Sequence, residues 1–377
     1  MNLAEKPRKH DSFRLSPSAS SIPLMAALLS ALVGIPATAD TVLSPQRQVT
    51  KISDRIFTIR HKDPMLGWVH GNTTVIIGER EVFVVDSCQT PSAAREDIAQ
   101  IRQWTDKPVR YLLNTHWHED HNGGNHEYMT AFPSLAIIAH PETRKQMDEY
   151  APSLTALWLK GAADIRATLN QRLETGKGRE GKPLTEAQRA DFKEQLQLLD
   201  RIPEEAKAFV YQAPTLTFER ELAIDIGGTE VQVKHLGRAN TAGDALVYLP
   251  KEKILVTGDI LVHPIPYTFD GYPSEWIHTL EAMVQLPADT IVPGHGDVLQ
   301  DKQFAYDVID MMKSVVAQVE QQFRKNPNVT LDEVTKAMDL KVFRQKLAGD
   351  DQTNGRNFDN SIGTHLIEVA YNEHKLR

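Results

Sequence analysis

Cysteine is almost missing from this chain: its 377 residues include one, Cys88, so no disulfide can close within it in any redox compartment. A basic excess is missing too. There are 42 Lys and Arg against 50 Asp and Glu, a net charge of −8, which lacks the electrostatic footprint of a nucleic-acid binder. Long apolar runs are confined to Leu24 through Ile35, and so short a run does not comfortably span a bilayer.

That run belongs to a leader. Lys6, Arg8, Lys9 and Arg14 precede it and the small residues Ala37-Thr38-Ala39 follow, the layout of a secretory signal peptide over residues 1–39 cleaved after Ala39. An uncleaved anchor is the alternative reading. Cleavage predicts a soluble periplasmic or secreted protein with no membrane association. The leader carries four of the basic and two of the acidic side chains, so its loss moves the net charge from −8 to −10.

What is present is a chain with 41% apolar residues, enough for a sizeable core. Ile56 to Ile59, Thr73 to Gly78 and Val82 to Asp86 alternate as strands, 91–105 reads as an amphipathic helix, and Val109 to Leu113 as a short buried strand. From about 141 to 213 the chain becomes helical and highly charged, broken by the polar turn Thr175 to Pro183. We expect a helical hairpin inserted there, either roofing a site or mediating dimerisation; Trp158 is its candidate ligand-facing residue, against a core-packing role. Strands resume between 216 and 257, and helices are expected at 301–325, 330–347 and 359–373. The expected organisation is one α/β domain over 40–300, with 301–377 as a helical extension packed on it.

Chemistry concentrates in Asn114-Thr115-His116-Trp117-His118-Glu119-Asp120-His121, directly after the strand Val109 to Leu113. In an extended or turning segment residues i and i+2 project the same way, so His116 and His118 can reach one cation while Asp120 and His121 reach a second. Imidazole with some carboxylate suits zinc, ahead of iron or manganese. A helix start rich in histidine and acid is the plain alternative, but four clustered potential ligands in this order favour a metal pair. Cys88, two residues past Asp86, reads as a small buried filler rather than a nucleophile.

With these residues the chain resembles the metallo-β-lactamase superfamily, αββα sandwiches of metal-dependent hydrolases. Further segments carry the likeness: Gly237-Arg238-Ala239-Asn240-Thr241-Ala242-Gly243-Asp244, Thr257-Gly258-Asp259, Pro293-Gly294-His295-Gly296 and Val84-Val85-Asp86-Ser87. The resemblance implies a two-zinc site with His116, His118, Asp120, His121, Asp259 and His295 as ligands. Asp259 would bridge, and Asp86 would order the ligand loop from behind. It also places Trp68, in the loop after the first strands, as a possible substrate contact, with core packing equally open. One position departs from the family pattern: Asn240 stands where a third histidine of the first site is usual, so that site is expected to bind more weakly, with Asn240 as a weak ligand or a substrate contact. Tyr267, in the proline-rich loop after Asp259, is a candidate oxyanion donor.

The expected mechanism is attack by a metal-activated water, with Asp120 orienting it and relaying its proton. The expected substrate is a small molecule with a hydrolysable carbonyl: an ester, lactone, thioester or β-lactam amide. Family β-lactamases of two subclasses carry a cysteine where this chain has Asp259, whereas a bridging aspartate is more like glyoxalase II-type thioesterases and lactonases. A non-catalytic metal-binding protein weakened by Asn240, and an iron-dependent oxidoreductase, are the competing classes.

Overall fold

The computed structural model describes residues 47–61, 69–178, 181–269 and 271–376, all within one unit of contacts, Thr41–Arg377. The expected leader and Trp68 lie outside the described residues.

Among the described residues twelve strands make two sheets. The first contains β1 (Arg47–Lys51), β2 (Ile56–His61), β3 (Thr73–Ile77), β4 (Val82–Val85), β5 (Val109–Leu113), β6 (Ala136–Ala139) and β7 (Leu216–Thr217), ordered as in the chain. It is antiparallel from β1 to β4 and parallel from β4 to β7. The second runs β12-β11-β10-β9-β8, built from β8 (Glu221–Asp225), β9 (Glu230–Lys234), β10 (Leu246–Leu249), β11 (Ile254–Val256) and β12 (Thr290–Val292). Only its β11–β12 pair is parallel.

The two-residue period of a strand explains how these sheets stack. In the first sheet Ile76, Phe83, Val85, Leu113 and Ile138 face inward against Val231, Val233, Val247, Leu249, Val256 and Val292 of the second. Their neighbours Val75, Val84, Leu112 and Ile137 face the other way, against Ala94, Ile98 and Ile101 of helix α1 (Pro91–Trp104). Strands buried on both faces therefore read as unbroken Val/Ile/Leu runs. Each such side chain contributes about 1.5–3 kcal/mol on burial. Thr90 caps α1, accepting from the Ala93 N–H, and Pro91 supplies its first turn.

After β5 come two short helices, α2 (Glu119–Asn122) and α3 (Asn125–Ala131). The inserted segment forms the expected hairpin from α4 (Pro141–Thr175) and α5 (Glu186–Leu199), and among the described residues a third, short helix, α6 (Ile202–Ala208), follows. Pro203 falls in the first turn of α6, where its missing N–H is no loss, and so restarts a helix after α5. Gly176 closes α4 at φ 66°, a left-handed cap that suits glycine. Leu154, Trp158, Ala162, Leu169, Leu198, Leu199 and Ile202 give the insertion its own small core.

The outer face of the second sheet is covered by α7 (Pro273–Gln285) and α8 (Gln303–Lys325), through Trp276, Leu280 and Met283 and through Val308, Met311, Met312 and Val315. Four layers result, helix on sheet on sheet on helix, the expected αββα sandwich. Helices α9 (Leu331–Ala337), α10 (Lys341–Ala348), α11 (Gln352–Asn360) and α12 (Ile367–Lys375) add Val334, Leu347, Phe358 and Ile367 to the α7–α8 core. Between α11 and α12 the turn Ser361–Leu366 is π-helical, and the Ser361 carbonyl accepts from Thr268 Oγ1 at 2.7 Å. No helix of the described residues is long and apolar enough to cross a membrane.

Candidate metal centre

The ligand loop hangs from the end of β5 and is fixed from behind by one carboxylate. Asp86, just past β4 at φ 62°, accepts from the Thr115 N–H at 2.8 Å, from Thr115 Oγ1 at 2.9 Å and from His121 Nδ1 at 2.8 Å. Asn114 and Asn125 exchange amide hydrogen bonds at 2.9 and 2.8 Å behind the same loop. Asn122 Nδ2 donates to the Trp117 and His118 carbonyls, holding the turn between His118 and Asp120. The opposite wall comes from the second sheet, where Asp259 lies in a 3-10 turn after β11 and His295 in the loop after β12.

All six side chains expected as ligands come together. His116 Nε2 lies 3.0 Å from His118 Nδ1 and 3.7 Å from Asp259 Oδ2. His121 Nε2 lies 3.1 Å from His295 Nε2, 3.4 Å from Asp120 Oδ2 and 3.3 Å from Asp259 Oδ1. His295 Nε2 is 3.0 Å from Asp120 Oδ2. Two overlapping groups arise, His116–His121–Asp259 and Asp120–His121–His295, with His121 common to both. His118 is partly exposed and marks the solvent side, whereas the other five are buried.

Hydrogen-bond bookkeeping assigns the tautomers and shows that a cation fits. A neutral imidazole carries one N–H, and His121 uses it at Nδ1 on Asp86, leaving the Nε2 lone pair inward. Thr115 Oγ1 donates to Asp86 and so accepts from His116 Nδ1, which turns the Nε2 lone pair of His116 inward as well. Asp259 Oδ1 is buried among these lone pairs with no hydrogen-bond partner among the described residues. Lone pairs and carboxylates converging in a buried space are the donor set of a borderline divalent cation.

Burial, helped by His121, holds His116 well below the ordinary imidazole range. Burial would also lower His121, but Asp120, Asp259 and Asp86 together drive it well above that range. Against burial, His121 and His295 hold Asp120 well below the carboxylate range, and His295, His121 and His116 do the same for Asp259. Protonated His121 and His295 thus supply the positive charge that Asp120 and Asp259 draw to the centre, charge that a bound cation would supply in their place.

The remaining candidates fall at different distances from this chemistry. Asn240 is 1% exposed, and neither atom of its amide has a hydrogen-bond partner among the described residues. Tyr267 meets His295 edge-on, ring centroids 5.3 Å apart, and stacks on Phe269, which is 45% exposed. Trp158 packs against Phe209 in the core of the insertion. Instead, Tyr150 of α4 reaches the ligand loop, edge-on to Trp117 at 5.0 Å. His235 stacks on His140 and bonds the Asp244 carbonyl. Cys88 is buried as expected, yet it is more than an apolar filler, because its thiol donates to Asp97 Oδ2 at 2.9 Å.

Several supporting residues escaped sequence reasoning. Asn72 N–H donates to the Gly294 carbonyl at 2.7 Å, and its Nδ2 donates to the Pro293 and Gly296 carbonyls, so the residue leading into β3 clamps the His295 loop. A Cβ at Gly294 would lie 2.0 Å from Asp259 Oδ1, and one at Gly71 would lie 2.5 Å from His121 Cε1; both glycines let backbone approach the ligands. Asp244 accepts from the Thr241 N–H and Oγ1 and so ties down the loop that carries Asn240. Burial raises the Asp244 carboxyl to about 7, although its bonds to Thr241 oppose the shift. The glycines beside His121 and His295 were the available signal; Asn72 offered none.

Residues 66–295 match the family model of the metallo-beta-lactamase superfamily. A linear primary-alkylsulfatase of Pseudomonas sp. is 25% identical over 269 residues, covering 69% of this chain and 48% of that protein. A metallo-beta-lactamase type 2 of Bacillus sp. is 28% identical over 114 residues, covering 29% of this chain and 44% of that protein. This chain therefore spans about half the length, or less, of the curated relatives it matches. Among solved structures, the stereoselective inverting sec-alkylsulfatase Pisa1 from Pseudomonas sp. superposes with a TM-score of 0.55 at 17% identity, over 78% of this chain and 45% of that one, a likeness of fold.

Proposed function

The chain belongs to the metallo-beta-lactamase superfamily, and from that premise we propose that it is an exported two-zinc hydrolase of small substrates with a hydrolysable carbonyl. One observation carries the reading: the inward lone pairs of His116 and His121 converge with Asp259 and with the Asp120–His295 pair in one buried space. The ligand set is His116, His118, Asp120, His121, Asp259 and His295, with Asp259 between the two groups.

When bound, two such cations lower the pKa of water toward neutrality and polarise the scissile group. The chain's own residues do the rest. Asp120 Oδ2 faces the centre beside His295 and orients the attacking water, accepting its proton at that oxygen. Asp86 keeps the Nδ1 proton on His121 and thereby keeps Nε2 available as a donor of electrons. Asn240, with a buried amide and no hydrogen-bond partner among the described residues, serves as a substrate-polarising donor or weak ligand. The Tyr267–Phe269 stack next to His295 and the Trp117–Tyr150 pair next to His118 supply apolar walls for the leaving or acyl group.

The scissile bond in this reading is a carbonyl ester, lactone, thioester or β-lactam amide. A second reading, sulfate-ester cleavage, is favoured by the alkylsulfatase that aligns with 69% of the chain. One experiment separates them: elemental analysis of protein purified without added metal, followed by turnover of a chromogenic cephalosporin, a p-nitrophenyl acyl ester and p-nitrophenyl sulfate, with and without chelator. Two zincs and chelator-sensitive turnover of an acyl substrate are expected. Turnover of the sulfate alone would move the assignment to the second reading, and a metal content near zero with no turnover would overturn both.

A further inference from the structure

A second buried cluster of ligand-type side chains lies behind the ligand loop, away from the six residues above. His61 ends β2, Cys88 follows β4 and Asp97 sits within α1; nothing in their spacing announces a motif. His61 Nε2 is 2.8 Å from Asp97 Oδ1 and Cys88 Sγ is 2.9 Å from Asp97 Oδ2, with all three side chains buried. One ligand atom from each lies within 4.8 Å of the others. Cys88 holds φ 65°, an unfavourable backbone conformation for a residue with a Cβ, in the turn that aims its thiol inward.

A self-contained hydrogen-bonded triad would satisfy Asp97, but it leaves buried polar atoms over. Tyr128 of α3 is fully buried and its hydroxyl has no hydrogen-bond partner among the described residues; nor has His61 Nδ1. Burial, and then the charges of Asp97 and Cys88, push the Tyr128 phenol well up. Nitrogen, sulfur and carboxylate oxygen, with water for a fourth position, form a tetrahedral borderline-soft donor set.

We propose that His61, Cys88 and Asp97 form a structural zinc site, separate from the hydrolytic centre, that pins α1 to the first sheet. Binding releases the Cys88 thiol proton, and the imidazolium proton of His61 wherever that is held, to solvent. The thiolate and the Asp97 carboxylate then balance the two positive charges of the ion, so the buried cluster carries no net charge. No electron transfer is involved.

Cys88 is the only cysteine in the chain, which makes the test specific. The full chain, expressed in cobalt-supplemented medium, should show a thiolate-to-cobalt charge-transfer band in the near ultraviolet; the hydrolytic centre contains no thiolate and contributes none. Cys88→Ser should abolish the band and remove one cobalt ion per chain, and Asp97→Asn should weaken both signals. In zinc-loaded protein, X-ray absorption should include a sulfur neighbour at about 2.3 Å. A cobalt-loaded wild-type chain without the band overturns the proposal, and that measurement decides even where the variants fail to fold. Loss of hydrolytic activity with the band retained would instead count against the proposed function alone.

Discussion

Replacing Asp86 with Asn tests how much of the centre depends on one carboxylate behind it. Asn tolerates the left-handed backbone that Asp86 adopts at φ 62°, so the substitution adds no backbone strain. Its single carbonyl oxygen can keep the bonds from Thr115 Oγ1 and His121 Nδ1, which share one oxygen of Asp86. The new NH2 group then faces the Thr115 N–H, which now donates at 2.8 Å. One buried donor without an acceptor costs about 1–3 kcal/mol of folding stability. His121 also loses the charge that makes Nε2 basic, and removal of such a partner lowers metal affinity by about 10–100-fold. In binding terms that range is roughly 1.4–2.8 kcal/mol. Competition against a chromophoric chelator reads the affinity, and urea unfolding in excess chelator reads the stability. If stability falls while zinc affinity matches wild type, Asp86 only pins Thr115, and its link to the cation through His121 is wrong.

Asn240→His offers a third imidazole to the His116–His118 group; the weaker zinc should then bind roughly 10-fold or more tightly, by analogy with the size of outer-partner effects, as read by the same competition, and an unchanged affinity would place Asn240 off the metal. Trp158→Ala empties the core of the insertion, and a loss of about 3–5 kcal/mol is expected there by hydrogen exchange in α4 and α5, with zinc content unaltered. Asp244→Asn probes the carboxyl that burial raises to about 7. Its folded pKa lies above the unfolded value of about 4, so the stability it carries is complete below that value and declines as pH rises to about 7. Relative to wild type, the Asn variant should therefore gain stability between those pH values in urea titrations; a difference flat with pH would refute the shift.

Local patterns in the chain predicted what local forces determine. His116 to His121 sit within one loop at a strand end, so their convergence was legible from spacing, and the doubly buried strands announced themselves as runs of Val, Ile and Leu. Contacts distant in the chain were not. Asn72 reaches the His295 loop across 221 to 224 positions, and an asparagine before a strand has many ordinary uses. His61, Cys88 and Asp97 come from three elements, and only the sheet register and the docking of α1 bring them together. The inserted segment was legible as helical by composition, but α4 runs 35 residues straight through Pro152, where a proline ordinarily argues for a break. Trp158 illustrates the remaining ambiguity: an aromatic on an amphipathic helix looks the same whether it lines a pocket or a core, and packing against Phe209 resolves it.

Of the six side chains at the centre, four hang from the first sheet and two, Asp259 and His295, from the second, with Asn72 clamping the His295 loop from the first. Neither half of the polypeptide can gather them alone. A cation held there acts as a rivet through both leaves of the sandwich, so loading can occur only after the leaves have docked. Loss of the ion should free the seam between them before it disturbs either sheet, and occupancy becomes a checkpoint that only a finished molecule passes.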